Sequence, residues 1–279
     1  MKQSASDKSL RAFPGPLLLL GAGKMGFAML EGWLKRGLAP RKIIVIEPQP
    51  SKAVKSLVRR GLKLNPKGKT PTAAAIVIAV KPQSASEAVP AVRGYAGKST
   101  LVLSIMAGRT IHFLESALPA GTAIVRAMPN TPAAIGRGIT VAVPNTKVSA
   151  RQRKQSGDLL SAIGSVEWVN DEGVMNAVTA VSGSGPAYVF LLAEAMTKAG
   201  IAVGLPAALA AKLARETVAG SGELLHRSEL DAAALRQNVT SPGGTTAAAL
   251  EVLMGPGGFD ELLTKAIAAA TRRGRELAG

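Results

Sequence analysis

The sequence predicts an α/β first half built on a parallel sheet, followed by an all-α second half. Three observations carry that prediction. Short, continuously aliphatic runs alternate with amphipathic stretches from residue 16 to residue 128. A GAGKMG turn at 21–26 joins the first aliphatic run to the first amphipathic one. Beyond about residue 170 the strand-like runs stop, and long alanine- and leucine-rich stretches of helical length take over. Strands and helices alternating at this spacing build βαβ units and a parallel sheet. The strands of such a sheet are covered on both faces, which accounts for their unbroken apolarity.

In order, residues 1–13 read as a polar, flexible lead-in, and PLLLL (16–20) as the first strand. That run is too short for a membrane span, and too short for a signal-peptide core of about 7–15 apolar residues. KMGFAMLEGWLKRG (24–37) reads as a helix that stops at Gly37, KIIVIE (42–47) as a strand and SKAVKSLVRRG (51–61) as a helix. AIVIAV (75–80), STLVLSI (99–105) and TAIVRAM (122–128) continue as strands. These place a dinucleotide-binding domain at 14–170 and a helical domain at 171–279. The helices of the second domain are expected at 188–200, 206–225, 229–237, 245–254 and 259–274. Several are apolar around most of their circumference and must be buried on most faces. Five helices in a segment this short do not bury one another, so an intersubunit helical interface is expected.

Composition sets the limits. The chain has 279 residues, 47% of them apolar, enough for one large domain or two ordinary ones and too many for a disordered chain. Aromatics are only 3%, so the core is built from Ala, Val, Leu and Ile. There are no cysteines, which excludes disulfide frameworks, thiolate nucleophiles and cysteine–zinc sites. A soluble, cytoplasmic protein is expected, with no membrane partner and no metal. The formal charge is +16, distributed unevenly: residues 1–170 hold 25 Lys and Arg against 7 acids, and residues 171–279 hold 9 against 11. A basic half raises the local concentration of an anionic ligand. Nucleic acid is the competing partner, but the charges are scattered and no aromatic stacking cluster accompanies them.

GAGKMG is G-x-G-x-x-G between a strand and a helix. Gly21 permits the tight turn, Gly23 lets the backbone approach a pyrophosphate, and Gly26 lets helix and strand pack closely. The helix start offers free N–H groups and the positive end of its dipole. Glu47 ends the second strand 21 positions after Gly26, near the spacing of about 20 for a ribose-binding acid. A carboxylate there accepts from ribose hydroxyls and repels a 2′-phosphate, which leans toward NADH over NADPH. Lys52 and Lys55 nearby could instead hold a phosphate. AVKPQ (79–83) and RAMPNTPA (126–133) are proline-broken turns at strand ends, where this architecture binds ligands.

The second half carries SGSGP (182–186), opening a long helix, and TSPGGTTAAAL (240–250). In this order and spacing, GAGKMG, AVKP, RAMPNTPA, SGSGPAY and TSPGGTTAAAL make the chain, from about residue 17 to about residue 274, resemble the pyrroline-5-carboxylate reductase family. The resemblance implies reduction of the cyclic imine Δ1-pyrroline-5-carboxylate to L-proline with NADPH or NADH. It implies a Rossmann-type first domain and helical domains that interlock as a homodimer, with dimers assembling into a ring. By position, it places Gly21, Gly23, Lys24, Met25 and Gly26 on the coenzyme diphosphate, and Val80, Lys81 and Pro82 along the coenzyme. Met128, Pro129 and Asn130 approach the nicotinamide. Ser241, Gly243, Gly244, Thr245 and Thr246 form the substrate pocket. Glu47 departs from the small hydroxyl or basic residue that NADPH-preferring members often carry.

Within that reading, the amides of Gly244, Thr245 and Thr246 form an anion-binding concavity for the substrate carboxylate. Ser241 adds a hydroxyl, and the paired glycines let the chain curl. Thr246 is the expected catalytic hydroxyl, orienting the imine nitrogen. A helix cap alone needs one hydroxyl and not four (Thr240, Ser241, Thr245, Thr246). His112 and His226 lie outside every motif and are read as structural or surface residues. Two rivals stay open. A two-domain 3-hydroxyacid dehydrogenase would need a lysine where Tyr188 stands, the next being Lys198. A nonenzymatic dinucleotide sensor would bind coenzyme without turnover.

Overall fold

The computed structural model describes residues 10–68 and 71–278. The chain divides into two compact units: residues up to Gly183 together with the chain from Thr271 onward, and Ser184–Ala270. By compactness the division falls between Gly183 and Ser184.

The first unit is built on an eight-stranded sheet. In chain order its elements are β1 (Leu17–Leu20), α1 (Lys24–Lys35), β2 (Ile43–Ile46), α2 (Lys52–Leu57), β3 (Lys63–Leu64), β4 (Ala75–Ile78), α3 (Ala85–Ala88) and β5 (Leu101–Ser104). Then follow α4 (Ile111–Ala117), β6 (Ala123–Met128), β7 (Gly138–Pro144), α5 (Ala150–Leu160), β8 (Gly164–Trp168) and α6 (Met175–Val178). The strand order is β3-β2-β1-β4-β5-β6-β7-β8. Strands β1 to β6 are parallel, in the Rossmann-type order, and β7 runs antiparallel to β6.

Strands β3, β7 and β8 were not expected from the sequence, and the reversal at β7 has a simple cause. Only residues 129–137 separate β6 from β7. A parallel crossover needs a dozen residues or more, so this connection returns antiparallel. The next connection contains α5, and β8 pairs parallel to β7. The second helix is also shorter than expected: it tightens into a 3-10 turn at Val58–Arg60 and stops at Gly61, where φ is 94°.

Alternate residues of each strand feed two cores. Leu17 and Leu19 pack on one face with Leu30, Trp33 and Leu159, while Leu18 and Leu20 pack on the other with Ile76, Val89 and Leu114. The Trp33 indole N–H donates to the Leu159 carbonyl at 3.0 Å, satisfying the one polar atom of a fully buried ring. The lead-in expectation fails for residues 10–13. Leu10 and Phe13 are buried in the first core. The Leu10 amide donates to the Arg36 carbonyl, and the Lys42 ammonium donates to the Phe13 carbonyl at 2.7 Å. Residues 1–9 lie outside the described residues.

The second unit is helical: α7 (Gly185–Ala202), α8 (Ala207–Arg227), α9 (Ala232–Asn238), α10 (Thr245–Leu253) and α11 (Phe259–Ala278), the last turns of which belong to the first unit. Helix α7 ends on Gly204 at φ 98°, and the Leu205 amide closes back on the Gly200 carbonyl at 3.0 Å. That glycine-dependent stop turns α8 back against α7. Among the described residues of this unit only Ala210 and Ala214 are buried. Among the described residues no helix is long and apolar enough to cross a membrane.

Candidate functional site

In the first unit, β1 lies between β2 and β4, where the strand order reverses. Carboxyl ends of parallel strands leave a crevice at that point. A cavity of about 940 Å³ occupies it, large enough for a dinucleotide by the usual scale of cofactor sites. Of the residues expected to hold coenzyme, Gly21, Gly23, Lys24, Glu47, Val80 and Lys81 line it. Phe27, Ser84 and Glu87 line it as well. None of these three carries a motif, and only proximity to the two turns could have indicated them.

The three glycines of the loop have separable reasons. Gly21 has φ 89°, and a Cβ there would lie 2.9 Å from the Ala79 and Val80 backbone. At Gly26 a Cβ would collide with the Gly21 carbonyl oxygen. The protein's own packing demands both. Gly23 has φ −66°, and among the described residues nothing beyond its chain neighbours lies within 4 Å of a Cβ position. Nothing in the chain requires glycine there, whereas a diphosphate approaching the backbone does. Helix α1 has no side-chain cap, and the amides of Gly23, Lys24 and Met25 donate to no described residue. The residues therefore fit a dinucleotide diphosphate.

Glu47 enters this loop directly. Its Oε2 accepts from the Ala22 amide at 2.8 Å and its Oε1 from the Gln49 amide at 2.9 Å. Lys52 and Lys55 are exposed on α2 and do not line the cavity. Met25 packs against the first core. The Pro82 carbonyl accepts from Arg109 Nε and Nη2, at 3.0 and 2.9 Å. Met128 ends β6 and Pro129 and Asn130 follow it, all three outside the cavity lining. The Asn130 side-chain oxygen accepts from the Ile139 amide at 2.9 Å, bracing its own loop. A Cβ on Gly183 would lie 2.6 Å from the Met128 methyl carbon. His112 and His226 are exposed on α4 and α8. Among the described residues no three His, Cys, Asp or Glu side chains gather as a metal-ligand set.

In the second unit the 240–246 turn leads into α10. Gly243 has φ 70°, so a side chain would be strained, and the Gly244 amide closes the turn on the Ser241 carbonyl at 3.0 Å. The residue at the N-cap is Gly244, and no side chain caps the helix. No hydroxyl of this turn therefore serves as the helix cap. Thr240 turns its hydroxyl back to the Arg236 carbonyl at 2.7 Å. The hydroxyls of Ser241, Thr245 and Thr246 donate to no described residue, and neither do the Thr245 and Thr246 amides. Two amides and three hydroxyls thus remain available within one turn.

Residues 172–277 match the family model described as pyrroline-5-carboxylate reductase dimerisation, and residues 17–108 match one described as NADP oxidoreductase, coenzyme F420-dependent. The pyrroline-5-carboxylate reductase of Pseudomonas aeruginosa is 38% identical over 264 residues, covering 94% of this chain and 96% of its own. A solved pyrroline-5-carboxylate reductase from Coxiella burnetii is 33% identical with a TM-score of 0.87, covering 95% of this chain and 99% of that one. That of Plasmodium falciparum, solved with NADP bound, is 28% identical with a TM-score of 0.78 over 95% of this chain and 99% of its own. With relatives this similar along nearly its whole length, the chain belongs to the pyrroline-5-carboxylate reductase family.

Proposed function

We propose that the chain reduces Δ1-pyrroline-5-carboxylate to L-proline by holding the coenzyme diphosphate at the 21–26 loop and the substrate carboxylate at the 241–246 turn. It is an NAD(P)H-dependent imine oxidoreductase of proline biosynthesis. The observation that supports the assignment of the turn is its set of donors without acceptors among the described residues, next to a helix that starts on glycine.

The reduced nicotinamide, when bound, supplies the hydride that adds to the imine carbon. The chain supplies the rest. Amides at the start of α1 and the Lys24 and Lys81 side chains meet the phosphates. The Thr245 and Thr246 amides and the Ser241 hydroxyl receive the substrate carboxylate. The Thr246 hydroxyl orients the ring nitrogen. A cyclic imine is basic enough to arrive protonated, so no strong protein acid is required. Placement of this kind accounts for about 7–11 kcal/mol of barrier lowering. Thr246→Ala should cut turnover roughly tenfold to a hundredfold, the worth of one hydrogen bond to a charged group, with coenzyme KM nearly unchanged. An unaltered rate removes Thr246 from the reaction.

We further read Glu47 as favouring NADH. Each of its oxygens already accepts one amide and keeps lone-pair capacity for a ribose hydroxyl. A 2′-phosphate beside it would meet like charge. Glu47→Ser should raise kcat/KM with NADPH relative to NADH by about tenfold. A constant ratio would separate Glu47 from the ribose. The enzyme self-associates through its helical unit as a homodimer, with a ring of dimers as the larger assembly, and it works in the cytoplasm.

A further inference from the structure

We infer that Asn65 is a positioning residue for coenzyme discrimination, holding the end of β2 so that the Glu47 carboxylate faces the glycine loop. The inference rests on the reading of Glu47 as the ribose-facing acid.

Among the described residues Asn65 is the only non-glycine with positive φ, at 44°. Asparagine tolerates that region better than most side chains. Its backbone amide donates to the Val45 carbonyl at 2.8 Å. Its side-chain oxygen accepts from the Glu47 amide at 2.9 Å, and its side-chain nitrogen donates to the Glu47 carbonyl at 2.8 Å. One residue therefore engages both backbone groups of Glu47 at once.

The geometry follows from the shortness of β3. That strand has two residues and pairs only with Ile44 and Val45. The chain leaves the sheet at Asn65, so no strand lies beside Glu47 on that side. The Asn65 amide group supplies the missing rung, as a peptide unit would. On the opposite side β2 is tied to the loop by the Gly21 amide, which donates to the Ile46 carbonyl at 2.9 Å. With its backbone fixed from both sides, Glu47 directs its carboxylate at the Ala22 amide, 2.8 Å away. A turn residue alone would need only the positive φ, which glycine provides more easily. The two bonds to Glu47 are additional.

This difference gives the test. Asn65→Gly keeps the backbone conformation accessible and removes the clamp. Steady-state kinetics with pyrroline-5-carboxylate are measured for NADH and NADPH in Asn65→Gly, Glu47→Ser and the double variant. In Asn65→Gly, kcat at saturating NADH stays close to the parent. KM for NADH rises about threefold to tenfold, the range for a pair of solvent-accessible hydrogen bonds. The NADH-to-NADPH ratio of kcat/KM falls by the same factor. In the Glu47→Ser background the Asn65 substitution leaves that ratio where Glu47→Ser put it. If Glu47→Ser shifts the ratio and Asn65→Gly does not, the inference on Asn65 is overturned while the reading of Glu47 stands. If Glu47→Ser itself leaves the ratio constant, the reading of Glu47 fails and this inference with it. Asn65→Asp covers the case of a glycine variant that does not fold. It keeps an acceptor for the Glu47 amide, loses the donor to the Glu47 carbonyl and adds a negative charge. That charge alone would disfavour NADPH further, so a lower ratio supports the clamp, and an equal or higher one overturns it.

Discussion

Arg109 belongs to no motif, yet its guanidinium grips the Pro82 carbonyl through Nε and Nη2 at 3.0 and 2.9 Å. It also lies 4.9 Å from the centre of the Phe113 ring. The turn it holds carries Lys81 and Ser84 into the coenzyme cavity. Arg109→Ala should therefore raise coenzyme KM about threefold to tenfold, the worth of a charge-assisted, part-exposed pair of bonds, with kcat at saturation within about twofold. Arg109→Lys should recover only part of the loss, because an ammonium cannot reproduce the planar fork. Full recovery in the lysine variant would reduce the contact to simple charge. At this scale legibility was uneven for a physical reason. Gly21 and Gly26 could be read because backbone clearance fixes both residue type and spacing. Asn65 and Arg109 could not. Each acts on a residue 18 or 27 positions away, through a pairing that depends on where β3 ends and how the turn after β5 runs. The Asn130 amide is a related case: its residue type suits contact with a ligand, and the fold uses its oxygen to tie Ile139.

Helix starts show the same division between elements. Helices α2, α4, α5 and α9 begin on Ser51, Thr110, Ser149 and Asp231, and each of those side chains accepts from the first-turn amides. Helix α5 has the full capping box with Gln152. These starts satisfy their own donors. Helices α1 and α10 begin on Gly23 and Gly244 with no side-chain cap. A side-chain cap is worth about 0.5–2 kcal/mol over alanine, and glycine forgoes only a few tenths of it. The small loss leaves the first amides open to an external anion, and these are the two helix starts assigned to diphosphate and carboxylate. Helices α3, α6, α7 and α8 lack a side-chain cap as well, so an uncapped start marks a ligand site only together with the glycine-rich turn before it. Strands β7 and β8 escaped the sequence for a different reason. Gly138–Pro144 mixes buried and exposed positions, so it lacks the unbroken burial of β1 or β4. Its direction was set by the length of the connection.

At the scale of the whole molecule, the second unit has too little interior to stand alone. Two alanines are its only buried residues among those described. On α7, Phe190 is 64% and Leu191 60% exposed, and on α10 Val252 is 76% exposed. Single exposed apolar side chains are ordinary, but a helical unit with this many and almost no core needs a partner surface. The match of residues 172–277 to a dimerisation family identifies the partner as a second copy. In a two-fold interface every substitution occurs twice. Fully burying a large apolar side chain is worth about 1.5–3 kcal/mol, so Phe190→Asp should weaken the dimer about a hundredfold or more. Analytical ultracentrifugation should show the variant as monomer at concentrations where the parent is dimer or larger. Its thermal midpoint should also fall on dilution, because stability borrowed from association depends on protomer concentration. A variant that stays fully associated would place Phe190 outside the interface. A parent whose midpoint is independent of concentration over two decades would mean the helical unit is stable without a second copy.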